Sequence, residues 1–151
     1  MDVDKINKWF TLIANLGVLL GVFLVAYELQ QNRIAIQAQT RSDISAQTVD
    51  SLVQTMANMP LLEAQQKVLK GQDLTPVEAR LLTLWEIARF RRWENAYYQY
   101  RQGLYSELAF EGQLVAWARL VDNPKSREWW HGNSNTFSPE FADLINDLLD
   151  N

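Results

Sequence analysis

A chain of 151 residues has room for one small domain plus an anchor. Apolar residues make up 48% and charged residues 21%, a balance that excludes wholesale disorder. The net charge of −4 argues against nucleic acid, whose phosphates call for a surplus of Lys and Arg, while the absence of cysteine removes disulfides and thiolate chemistry and the single histidine, His131, removes most catalytic and metal constellations.

After a short tail, residues 1–8, the segment 9–27 reads WFTLIANLGVLLGVFLVAY and holds no charge. At about 1.5 Å per residue it covers roughly 28 Å, close to the hydrocarbon thickness of a bilayer. Trp9 and Tyr27 sit at its two ends, where amphipathic rings prefer the headgroup level. No small-residue cleavage site follows, so the segment is expected to stay as a transmembrane helix and not to leave as a signal peptide. Gly17 and Gly21 form a G-x-x-x-G pair, and Ala14 extends the same small face. Such faces let helix backbones approach closely in lipid. Asn15 lies roughly 100° or more around the helix from them, with Thr11 one turn before it, and an amide at that depth favours bonding to another helix. Ala14, Asn15, Gly17 and Gly21 are therefore the expected membrane-association residues. Lys5 and Lys8, diluted slightly by Asp2 and Asp4, are balanced by Arg33 and Arg41, so the positive-inside count is close to a tie.

Beyond Tyr27 no Gly or Pro occurs until Pro60, which predicts a helix continuing out of the membrane over 28–57. Its apolar positions Ile34, Ala38, Val49, Leu52, Val53 and Met56 make a stripe with gaps. The remainder, 58–151, reads as a compact soluble all-α domain of about four further helices. A short helix over 61–70 is stopped by Gly71. Thr75-Pro76-Val77-Glu78 spells a capping box with Pro at the first helical position, and it opens a central helix that ends at Gly103. Ser106 can cap the next helix, to about Val121. Asp122-Asn123-Pro124 reads as a break, followed by a short turn of helix over 126–131, a loop over 132–137, and a last helix opened by Ser138-Pro139-Glu140.

The stretch WENAYYQYRQG at 93–103 resembles a signature of a widespread group of uncharacterised bacterial proteins. So do the membrane helix running into Gln30-Gln31-Asn32-Arg33, the pair Trp129-Trp130, and Phe137-Ser138-Pro139-Glu140-Phe141. Each member has one N-terminal membrane helix and a small helical body. The resemblance covers most of the chain and implies a single-pass protein of the bacterial inner membrane. Its charge pattern implies a cytoplasmic body; Lys5 and Lys8 depart from that pattern, and the periplasmic side stays open. No activity, cofactor or catalytic residue comes with the resemblance.

Candidate chemistry is sparse. Glu128-x-x-His131 matches half of a di-iron motif, but the second pair needs another histidine. Glu86 with Arg89, and Arg91 with Glu94, are three apart and are explained by local ion pairs. An acid–base carboxylate among them is not selected by any spacing. The aromatic set of Trp85, Trp93, Tyr97, Tyr98, Tyr100, Trp117, Trp129 and Trp130 reads first as core and second as a pocket lining. Adjacent residues on a short helix cannot both face inward, so one of Trp129 and Trp130 is expected at a surface. With Arg89, Arg91 and Arg92 they form the expected partner surface. The expectation is a non-enzymatic, membrane-anchored interaction module without metal or cofactor, either a homo-oligomer or an accessory subunit of a membrane complex. The alternative is a membrane-tethered ligand-binding or sensory domain.

Overall fold

Helix-favouring composition punctuated by Pro and Gly gives an all-helical chain, seen in a computed structural model that describes residues 3–150. In order, α1 spans Val3–Ala57, α2 Met59–Leu69, α3 Pro76–Arg101, α4 Glu107–Val121, α5 Pro124–Asn133 and α6 Pro139–Asp150, with one 3-10 turn, Ser134–Thr136, between the last two. Among the described residues there is no strand. Asp2 lies outside the described residues, as does the side chain of Lys5. The tail 1–8 is helical from Val3 onward.

Contacts divide the chain into two units, Met1–Gln39 and Thr40–Asn151. The first is a helix whose most apolar window has a mean hydropathy of 2.2, and none of that window is buried. It is long and apolar enough to cross a membrane.

The second unit is built around α3. Phe90 and Ala96 are buried on α3 against Phe110, Trp117 and Val121 of α4, Trp130 of α5, and Phe141 and Ile145 of α6. Ring meets ring throughout: Phe90 lies 4.7 Å from Trp130, and Trp93 stacks on Trp117 at 5.0 Å. These aromatics are core, and their close packing supplies a large apolar area for so small a unit. Leu84, Ile87 and Tyr98 of α3 stay exposed, so the helix is covered on one side and not all round. From the 40–57 part of α1 only Ile44 is buried; Val49, Leu52, Val53 and Met56 are exposed.

Local chemistry sets the joints. Asn58 caps α2 by accepting from the Leu61 N–H at 3.1 Å. Gly71 and Gly103 adopt φ of +64° and +68°, and each closes its helix with a double reverse bond, Gln72 to Lys67 and Leu104 to Gln99 at 2.9 Å. At α3 the Thr75 N–H donates to Glu78 at 2.8 Å and the Glu78 N–H donates back to the Thr75 hydroxyl. Lys67 of α2 donates to the same carboxylate at 2.7 Å, tying the two helices together. Two expectations need correcting. The Ser106 side chain makes no capping bond at α4. The helix expected over 126–131 is longer, because the Asn123 side chain accepts from the Lys125 N–H and Pro124 takes the first helical position.

Candidate functional site

Three arginines within four residues of α3 share one chemistry and meet three fates. At 100° per residue, positions 89, 91 and 92 leave the helix in different directions.

Arg89 turns into the core and is 4% exposed. It forms an ion pair with the buried carboxylate of Glu86. Its Nη2 donates to the Ser126 hydroxyl at 3.0 Å, and that hydroxyl donates to Glu86 Oε1 at 3.1 Å. The guanidinium also lies over the rings of Trp85, Phe90 and Trp93, at 4.7 to 5.1 Å. Burial pushes the Glu86 carboxyl up, against the opposing pull of Arg89 and Ser126, and pushes Arg89 down. Arg89 therefore offers nothing to a partner surface.

Arg91 points outward but is engaged. Its Nη1 donates to Glu94 at 2.6 Å and its Nη2 to the Thr136 carbonyl at 2.8 Å, with the guanidinium over Phe137. Glu94 accepts in turn from the Ser138 N–H at 2.8 Å, at the entry to α6. Burial alone raises Glu94, but the Ser138 N–H and Arg91 outweigh it and hold the carboxyl below the usual range. Both ion pairs expected at three-residue spacing form, and both hold elements together.

Arg92 is half-buried and makes no ion pair or hydrogen bond among the described residues. It lines a groove of about 440 Å³ between the 41–48 part of α1 and the facing sides of α3 and α4. Trp93, Trp117 and Tyr105 form its aromatic wall, and Ala109, Gly112 and Ala116 present a row of small residues from α4. Arg41 joins Arg92 at the lining, which contains no Asp or Glu. Of the groove residues, sequence reasoning singled out only Arg92, Trp93 and Trp117. The 109, 112, 116 spacing of small residues on α4 was the available signal.

The two neighbouring tryptophans differ in burial. Trp130 is fully buried and its Nε1 donates to Asn146 at 2.9 Å. Trp129 is half-buried, and both indoles contact Phe90, which reaches between them. Trp129 Nε1 is a buried donor without a partner among the described residues, and its residue lines a second cavity of about 510 Å³ with Val68, Leu74, Leu82, Glu86 and Ser126.

In the first unit, Ala14, Asn15, Gly17 and Gly21 are all exposed, and a Cβ added at either glycine would meet nothing within 4 Å. Thr11 donates its hydroxyl back to the Asn7 carbonyl at 2.9 Å, whereas the Asn15 amide has no partner among the described residues. His131 is exposed, Glu128 pairs with Lys125 at 3.0 Å, and no cluster of three metal-ligating side chains occurs among the described residues.

Fold and site together define a class: an all-helical chain with one helix long and apolar enough to span a membrane, and a helical body built around an aromatic core. No family model, curated protein or solved structure matches the chain.

Proposed function

We propose that this is a non-enzymatic, single-pass membrane-anchored interaction module of the bacterial inner membrane, acting as a homo-oligomer or as an accessory subunit of a larger membrane complex. In this reading the body faces the cytoplasm, the side that the charge pattern of the resembling group implies, with the periplasmic side as the alternative. The observation that carries the reading is the unpartnered Asn15 amide on a helix whose apolar window buries nothing within the chain. In lipid that amide gains by bonding to a neighbouring helix, about 0.6–2 kcal/mol. The bare face of Ala14, Gly17 and Gly21 points elsewhere, so the anchor offers two contact faces and suits an assembly of more than two helices.

Mild-detergent extraction followed by mass measurement of the particle tests this. A multi-helix particle is expected in the wild type, and Asn15→Leu should shift it toward smaller species. A clean wild-type monomer without partners sinks the reading.

One observation favours a second reading, a membrane-tethered ligand-binding domain. The groove beside Arg92 combines Trp and Tyr walls with a few convergent polar groups, the make-up of small-molecule sites.

A further inference from the structure

We infer that the groove between α1, α3 and α4 binds a small carboxylate carried on an apolar body. This deepens the ligand-binding reading and names the chemistry of its ligand. It does not depend on the anchor, whose failure would leave it standing.

Charge is the first ground. The chain carries a net charge of −4, yet the lining of this groove holds two arginines and no acid. A guanidinium that is half removed from water and lacks a counter-ion is an incomplete pair. Arg89 and Arg91, its neighbours on the same helix, are both matched with glutamates. A ligand carboxylate at Arg92 would complete the third pair in the geometry that a planar guanidinium favours. Burial lowers the pKa of Arg92, as expected of a cation held in partly dry surroundings without an acid beside it.

Shape is the second ground. A volume of about 440 Å³ lies within the range of small-molecule sites, roughly 300–1,000 Å³. The indoles of Trp93 and Trp117, stacked on each other at 5.0 Å, contribute apolar lining on one side. On the α4 side the small residues at 109, 112 and 116 leave room where larger side chains would fill the space, and a Cβ at Gly112 meets nothing within 4 Å. Gln113 donates to the Tyr105 hydroxyl at 3.1 Å, and Arg41 and Arg92 are the charged groups of the lining. An apolar body with a single carboxylate fits this lining and these charges.

The test uses the full chain in nanodiscs of neutral lipid and two probes of equal shape, 2-naphthoate and the uncharged 2-naphthamide, titrated by calorimetry. Saturable binding of the carboxylate is expected, with the amide about tenfold weaker or more, the scale of a lost charge-assisted hydrogen bond. Arg92→Met should reduce naphthoate affinity by a similar factor and leave the amide unchanged. Gly112→Leu, whose Cβ meets nothing within 4 Å and whose side chain adds bulk at the groove lining, should abolish binding of both. If both probes bind equally and G112L removes both, the groove is a ligand site but the charge recognition inferred here is wrong. If neither probe binds, both the inference and the ligand-binding reading fail. If G112L leaves affinity intact but alters particle mass, the groove is a contact between copies and the inference is overturned.

Discussion

Residues 9–27 of α1 carry no charge and bury nothing within the chain; α3 carries five arginines and, beyond the capping-box Glu78, two glutamates, and buries one of each. Hydropathy alone would assign the core the other way round. The contrast teaches that burial depends on what the rest of the chain supplies. Around α3 it supplies Ser126, a partner carboxylate and three aromatic rings, enough to compensate a desolvated ion pair. For the apolar window of α1 it supplies no cover, so the favourable transfer of that surface out of water has to come from outside the chain.

The sharpest way to break the comparison is to remove half of the buried pair. Arg89→Met leaves Glu86 as an uncompensated buried carboxylate, with an expected loss of about 3–5 kcal/mol. Denaturant unfolding of the full chain, followed by tryptophan fluorescence, measures it. Replacing both members, Glu86→Leu with Arg89→Met, should recover most of that loss. If the single and double variants are equally destabilised, mutual compensation is not what keeps the charges inside.

A smaller effect is expected at the edge of the same helix. Thr75→Ala removes the hydroxyl that accepts from the Glu78 N–H, at a cost of about 1 kcal/mol by the same measurement. Unchanged stability would mean that the Lys67 and Glu78 contact alone fixes the start of α3.

The gentlest prediction concerns acid. Glu94 is held below the usual carboxylate range in the folded chain, so its contribution is fully present above about pH 4.3 and is lost as the pH falls through its folded value. Glu78 behaves the same way, lowered chiefly by Lys67. Glu86, pushed up by burial, runs opposite: its contribution is greatest at low pH and declines as the carboxylate ionises. Glu94→Gln should flatten the acid limb of Tm against pH, and an unaltered limb would show that the Ser138 contact carries no differential energy.

How much of this was legible in the sequence follows from the range of each interaction. The capping box at 75–78 and the stops at Gly71 and Gly103 are local, and their residue types spell them out. Asn123-Pro124 uses the same cap-then-proline grammar as Thr75-Pro76, yet reads equally well as a break; in the fold it caps α5, which brings Trp130 against Phe90 and Phe141. The gapped stripe of Ile34, Ala38, Val49, Leu52, Val53 and Met56 named no partner, and its residues at 49, 52, 53 and 56 stay exposed while Ile44, outside the stripe, is the buried one. Direction around a helix fixed Arg89, Arg91 and Arg92 relative to each other, while nothing local said which would find a carboxylate. The groove depends on small side chains of α4 facing two other helices, an absence of bulk that no residue type advertises.

The stacked indoles of Trp93 and Trp117, 5.0 Å apart and inclined by only 15°, have an optical consequence. Two chromophores so close and so nearly parallel couple their electronic transitions, and the chiral setting turns that coupling into a paired circular-dichroism band of opposite signs. Superposed on the helical spectrum, it would distort any helix content read from ellipticity. It would also collapse as soon as α3 and α4 part, giving a label-free reporter of that single joint.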